Sequence, residues 1–141
     1  MINLFILLVG FVIGLGAVTV IDTLGFLGIN SSYWTETTIR THKVTKPLIW
    51  IGIFLLSVGS FLFYPSGDCV KIIQTILIGL LILNGVYLSF YISPFLLKRE
   101  KEGRAKELLP FKIKLGVGIS LIFSIIGWWG SLLMLSWYLT F

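Results

Sequence analysis

The chain has 141 residues, of which 57% are hydrophobic and only 12% are charged. Soluble domains are about 45–50% apolar and about 25% charged, so this composition excludes an ordinary soluble domain and indicates an integral membrane protein. The net charge of +5 comes from basic residues in short segments beside apolar stretches. That placement predicts contact with anionic lipid headgroups and argues against nucleic acid as a partner. The single cysteine, Cys69, excludes an intramolecular disulfide.

The first apolar stretch covers residues 3–28 and is long enough to cross a membrane, because one crossing takes about 20 residues. Small residues share one face of the predicted helix and favour close packing against another helix; they include Gly14, Ala17 and Gly25. Asp22 lies at the edge of that face, where a carboxylate needs a compensating partner. No basic residue precedes the stretch and no convincing cleavage site follows it, which predicts a retained span rather than a signal peptide.

The segment 29–44 is too polar to cross a membrane and predicts a short helix or ordered loop at the membrane interface, capped by Ser31 or Ser32. The second predicted span is 45–64, with Pro47 in its first turn and Thr45 as its cap. Residues 64–68 then have the composition of a tight turn.

The third predicted span, residues 70–97, carries Asn84 near its middle, where an interhelical hydrogen bond is the expected role. Tyr87 and Tyr91 share the face of Asn84 and would extend a polar stripe toward a narrow inward-opening cavity. Residues 98–107 are densely charged and predict a solvated loop.

The fourth predicted span, residues 110–139, has small residues on one face, which again favour helix packing; they include Gly116, Ser120, Ser124 and Gly127. Their spacing echoes the Gly14–Phe26 stretch of the first span. Because the two helices would cross in opposite directions, the echo fits either an inverted repeat or chance among many glycines.

Together these stretches predict an all-α fold, a single transmembrane domain over residues 1–141 that forms a four-helix bundle with a short interfacial helix after the first span. All but one of the basic residues lie in or beside the segments 29–44 and 98–110, and only Lys71 lies on the other side. The positive-inside rule therefore predicts that both loops are cytoplasmic and that both termini are outside.

No spacing typical of a catalytic site, a phosphate-binding loop or a metal site is present, so the sequence predicts no catalytic residues, no metal and no cofactor. His42 is the only histidine, which excludes bis-histidine haem ligation within one chain and leaves only a single axial ligand as an alternative.

Asp22 is the residue whose role decides between functions. One interpretation is a structural ion pair or cap, with Lys46, Arg40 or Lys43 as the candidate charge partner. A second is a proton or cation relay or a ligand anchor, in which Asn84, Tyr87, Ser120 and Ser124 would join Asp22 in an intramembrane polar site. A third is an exposed position with no special role.

Two groups of motifs resemble a family of small four-span bacterial membrane proteins of about 150 residues with no established activity. The first group is the Gly14–Asp22 stretch followed by Ile49–Gly52; the second is Asn84–Leu88 with Pro94, together with Ser124–Gly130. The resemblance implies an inner-membrane location and marks Asp22, Asn84 and Trp128 as positions to test. The layout is also similar to copper-resistance membrane domains and a small haem-pathway oxidase, but those proteins use histidines inside their spans and this chain has none there.

The sequence therefore favours a non-enzymatic multi-pass membrane protein that associates with itself or serves as an accessory subunit of another membrane protein. The alternative is a small transporter or channel component in which Asp22 binds a proton or cation. A redox or haem-associated membrane enzyme is a third hypothesis.

Overall fold

The computed structural model describes residues 1–141 and consists of α-helices, one short π-helix and no strand. The elements are α1 (Ile2–Leu27), α2 (Ser32–Phe63), α3 (Cys69–Tyr87), the π-helix (Leu88–Ile92), α4 (Ser93–Lys101) and α5 (Phe111–Thr140). Because α3, the π-helix and α4 follow one another without a break, the chain forms four long rods. Each rod is long and apolar enough to cross a membrane, which confirms the predicted all-α, four-helix architecture.

The predicted interfacial helix does not exist as a separate element. Its residues form the first turns of α2, which starts at the cap Ser31 and continues through Pro47. Thr45, predicted to cap a helix, lies inside α2 and donates its hydroxyl hydrogen bond to the carbonyl of Thr41 at 3.2 Å. The prediction was wrong because proline removes only one N–H from a helix, while the turns before it are held by tertiary packing through Ile39 in a buried apolar cluster.

Helices α1 and α2 are antiparallel and pack so closely that their backbones touch. A Cβ on Gly10 would lie 2.6 Å from the backbone nitrogen of Leu56, and one on Gly59 would lie 2.6 Å from the Cα of Leu7. About one turn further along the seam, a Cβ on Gly52 would meet the backbone of Gly14. Glycine is therefore required along this seam, as is usual where two helices approach closely within a membrane.

The glycines predicted to pack on α1 and α5 have different surroundings. Gly14 makes room for the indole of Trp128, and Gly127 makes room for the side chain of Leu81. Gly116 lies against the hydroxyl of Tyr87, whereas Gly25 has no neighbour within 4 Å of the place a Cβ would take. Ala17 is buried. The small residues near the middle of the bundle thus lie at helix contacts, while Gly25 faces open space.

Two apolar clusters occupy the two ends of the bundle. The larger one lies toward the termini and joins all four rods; its buried members include Leu7, Phe11, Leu56, Leu81 and Trp128. The smaller one lies toward the basic loops and consists of Ile39, Ile92, Leu96 and Ile113. Since Ile39 belongs to the second cluster, the first turns of α2 pack on α4 and α5.

The charged loop after α4 is organised around Arg99, which is only 5% exposed. Its guanidinium donates to the carbonyl oxygen of Leu108 at 3.2 and 3.3 Å and to the carboxylate of Glu107 at 3.0 Å. The same carboxylate accepts a hydrogen bond from Nε of Arg104 at 3.0 Å. The loop was predicted to be solvated, but Arg99 ties it back onto the bundle.

Acidification is expected to loosen this loop. The hydrogen bonds from Arg99 and Arg104 hold the pKa of the Glu107 carboxyl below the ordinary glutamate value of 4.5. Their stabilising contribution is therefore complete above pH 4.5 and is lost as the pH falls through the lowered pKa. The measurement is hydrogen exchange of the Arg104 and Glu107 amides, which bond to backbone carbonyls of Arg99 and Arg104. In the wild type, the protection of these amides should be constant above pH 5 and fall at lower pH. In Glu107→Gln this fall should be absent. A fall that persists in the variant would show that Glu107 is not the group responsible.

Candidate functional site

A cavity of about 370 Å³ lies between the two apolar clusters, in the half of the bundle nearer the basic loops. Every rod contributes to its wall: Trp128 of α5 and Val18 of α1 lie at the end nearer the termini, and Leu96 of α4 lies at the opposite end. The wall is mostly apolar, with a few polar groups set into it. Small-molecule sites generally have this character and a volume of about 300–1,000 Å³.

Asp22 lies in the wall of this cavity, half-buried, and forms no salt bridge within 4.0 Å. The hydroxyl of Ser124, from α5, lies beside its carboxylate. No hydrogen bond of normal length and angle joins the two groups, and Ser124 Oγ is buried without any partner in the protein. The structure therefore presents a carboxylate and a hydroxyl side by side, both with unused hydrogen-bonding capacity facing the cavity.

The three basic residues predicted as partners of Asp22 are engaged elsewhere. Arg40 pairs with Glu36 at 2.6 Å one turn away, and Lys43 pairs with Glu100 of α4 at 2.8 Å. Lys46 lines the cavity, but its Nζ donates to the hydroxyl of Ser93 at 3.4 Å. None of the three makes a salt bridge with the carboxylate of Asp22.

Asn84 makes the interhelical hydrogen bond predicted for it, and makes it in both directions. Its Nδ2 donates to the carbonyl of Ser120 at 3.2 Å, and the Ser120 hydroxyl donates to Asn84 Oδ1 at 2.8 Å. The pair joins α3 to α5 at the cavity wall. Asn84 and Ser120 satisfy each other's hydrogen-bonding groups, so the pair holds two helices together at the cavity wall. Asp22 and Ser124 lie in the same wall without such partners.

Tyr87 and Tyr91 do not contribute to the cavity wall. Their rings stack on each other with centroids 5.4 Å apart, and both side chains are exposed on the outside of the bundle. At about 100° per residue, Tyr87 projects roughly 160° away from Gly85 of the same helix, which lines the wall. Ser89, inside the π-helix, lies in the wall instead, where its hydroxyl accepts a hydrogen bond from Trp50 Nε1 at 3.0 Å.

Sequence reasoning missed four further polar residues of the wall, which are Thr35, Thr38, His42 and Lys114. His42, interpreted as solvated, lines the cavity with Nε2 buried and without a hydrogen-bond partner. Lys114 of α5 also lines the cavity. The spacing of four residues between His42 and Lys46 places both on one face of α2, which is the signal that could have found His42. The structure brings no three His, Cys, Asp or Glu side chains together in a way that could hold a metal ion.

The cavity thus combines an unpaired carboxylate, a free hydroxyl and aromatic walls formed by Trp50 and Trp128. Chemically, this arrangement suits a ligand with a positively charged, hydrogen-bond-donating group. No family model matches the sequence, and no curated protein or solved structure matches it either.

Proposed function

We propose that the protein is a small transporter or channel component of a membrane, whose cavity binds a cationic group at Asp22. The observation that carries the proposal is that Asp22 faces a cavity and has no basic partner. A carboxylate inside a membrane span is expensive unless something compensates it. Since no protein cation pairs with Asp22, a ligand cation or a proton is the natural source of compensation.

The surroundings of Asp22 favour a hydrogen-bonding cation. Ser124 Oγ can accept one N–H from an ammonium group while the carboxylate of Asp22 accepts others. The indole rings of Trp50 and Trp128 line the same cavity and offer π faces, which attract cations. These groups come from three different rods, so a bound cation would also stabilise the association of the rods.

Replacing Asp22 with asparagine tests this proposal. The change keeps the size of the side chain and removes its charge, and a hydrogen bond to a charged group is worth about 1.5–3 kcal/mol. We therefore expect n-butylammonium, titrated into detergent-solubilised protein by calorimetry, to bind Asp22→Asn at least about tenfold more weakly than the wild type.

The matched control is Asp68→Asn, which removes a carboxylate outside the cavity. Asp68 caps α3 by accepting a hydrogen bond from the Val70 backbone N–H at 2.9 Å, and asparagine caps equally well. This variant should bind n-butylammonium as the wild type does. Equal affinities of the wild type and Asp22→Asn would refute the proposal.

Self-association, or service as an accessory subunit, is a second candidate function. The outer face of α1 carries an exposed strip of small and hydroxyl residues: Gly16, Thr19 and Thr23. The Thr19 and Thr23 hydroxyls bond to the helix backbone at 2.7 Å, and Gly16 has nothing within 4 Å. Such a face allows another transmembrane helix to approach closely. The native mass of the protein–detergent complex tests self-association, and a strictly monomeric mass counts against it.

We also propose that both termini lie outside the cytoplasm and that the basic loops, including Arg99 and Arg104, lie inside. The support is the charge asymmetry between the two ends of the bundle. Cys69 is free and exposed at the other end, so an impermeant maleimide should label it on intact cells. If Cys69 is labelled only after the cells are permeabilised, the protein has the opposite orientation and this proposal is wrong.

A further inference from the structure

The cavity contains charges of both signs that do not neutralise each other. Asp22 of α1 lines it without a salt bridge, and Lys46 of α2 and Lys114 of α5 line it without one as well. Lys46 Nζ has only a hydroxyl partner, Ser93 Oγ at 3.4 Å. His42 Nε2, one turn from Lys46, is buried with no partner. The carboxylate of Asp22 on α1 and the basic side chains on α2 thus line the same cavity without pairing with each other.

The cavity also reaches the outer surface of the bundle between α1 and α5. Gly25 and Gly118 lie in its wall, and a Cβ on either one would meet nothing within 4 Å. Phe26 and Ile122 line the cavity too, although their side chains are 65% and 56% exposed. An opening bordered by glycines and exposed apolar side chains on the side of a transmembrane bundle faces the lipid.

We propose that the ligand is the zwitterionic headgroup of an aminophospholipid, which enters sideways between α1 and α5. The ammonium binds at Asp22 and Ser124, the phosphate binds at Lys46 and His42, and the acyl chains stay outside in the bilayer. This inference rests on the proposed function and specifies its ligand class.

The charges and dimensions of the site favour this ligand. A phosphate accepts strong charge-assisted hydrogen bonds from an ammonium side chain, and Lys46 has no competing carboxylate within 4.0 Å. A volume of about 370 Å³ fits a headgroup but not two acyl chains, so the chains must leave through the opening. Phe26 and Ile122, which border that opening, offer the apolar surface that chains require.

Native mass spectrometry with competing lipids tests the ligand class. The protein is exchanged into detergent containing equal amounts of dioleoyl phosphatidylethanolamine and dioleoyl phosphatidylglycerol, which share acyl chains and phosphate but differ in the ammonium. The wild type should retain phosphatidylethanolamine at least about tenfold over phosphatidylglycerol, Asp22→Asn should retain the two equally, and Lys46→Gln should retain less of both. Lys112→Gln, which changes an exposed lysine outside the cavity wall, is the control and should match the wild type.

The lateral opening and the source of the headgroup are tested by a second pair of measurements. Gly118→Leu fills open space at the opening, so it should lower lipid binding severalfold. Water-soluble phosphoethanolamine should bind the wild type more weakly than the lipid does. Equal binding of phosphoethanolamine and lipid would overturn the assignment of a lipid ligand.

The two proposals fail in distinguishable ways. If n-butylammonium binding depends on Asp22 but the two lipids bind equally, the lipid inference is overturned and the cation site stands. If n-butylammonium binding is also independent of Asp22, both proposals are overturned. A preference for phosphatidylethanolamine that persists in Asp22→Asn likewise overturns the lipid inference.

Discussion

Gly52→Ala is expected to destabilise the bundle by about 3 kcal/mol, because overpacking of a tight interior usually costs about 1–3 kcal/mol and the obstacle here is backbone. The new methyl group would meet the Cα and nitrogen of Gly14 on the facing helix. A side chain could rotate away from such a contact, whereas α1 can avoid it only by moving as a whole. The expected consequence is a wider separation of α1 and α2 along their entire seam.

Unfolding of the purified protein by increasing mole fractions of sodium dodecyl sulfate in mixed micelles measures this effect. Gly16→Ala is the matched control, since Gly16 lies on the same helix pair but has nothing within 4 Å. The control should be neutral or slightly stabilising, because alanine favours the helix by about 0.5–1 kcal/mol over glycine. Equal effects of Gly52→Ala and Gly16→Ala would mean that the seam is not as tight as the structure shows.

Trp128→Ala is expected to have the largest effect of any single substitution, about 3–5 kcal/mol of lost stability. The side chain is 1% exposed, fills the space above Gly14 and closes the cavity toward the larger apolar cluster. Its removal would merge the cavity with the space that the indole ring occupied. We therefore expect lower stability together with weaker binding of n-butylammonium, since an aromatic wall of the site is lost.

The neighbouring tryptophan provides the control for this experiment. Trp129 has the same side chain on the same helix, but it points outward and is 51% exposed. Trp129→Ala should change stability by less than about 1 kcal/mol, as surface substitutions usually do. If the two substitutions destabilise the protein equally in the same sodium dodecyl sulfate titration, Trp128 is not a central packing residue.

The fold was largely predictable because long apolar stretches bounded by polar ones have few structural alternatives. Where the prediction failed, contacts distant in sequence decided the structure. Ile39 packs on Ile92 and Leu96, which stabilises the first turns of α2 as part of one helix that continues past Pro47. Likewise, the sequence shows that Arg99 is charged but not that Leu108 and Glu107 will fold back to bind it.

The candidate site was predictable only in part. Asp22 stood out because of the cost of a carboxylate in an apolar helix, and Asn84 because amides in such helices form interhelical hydrogen bonds. The absence of a basic partner at Asp22 was not predictable, since the sequence does not show that Lys43 and Arg40 pair with Glu100 and Glu36 instead. The hydrogen bond that Ser89 accepts from Trp50 was not predictable either, since it depends on how two helices pack and not on local composition.

The central claim, that a cation binds at the carboxylate of Asp22, is tested most directly by nuclear magnetic resonance of aspartate carboxyl carbons. Asp22 and Asp68 are the only aspartates in the chain, so ¹³C-aspartate labelling gives two carboxyl signals, one in the cavity and one outside it. Titration with n-butylammonium should shift the Asp22 signal saturably, leave the Asp68 signal in place, and move nothing in Asp22→Asn. An Asp22 signal that does not move, or two signals that move together, would contradict the claim.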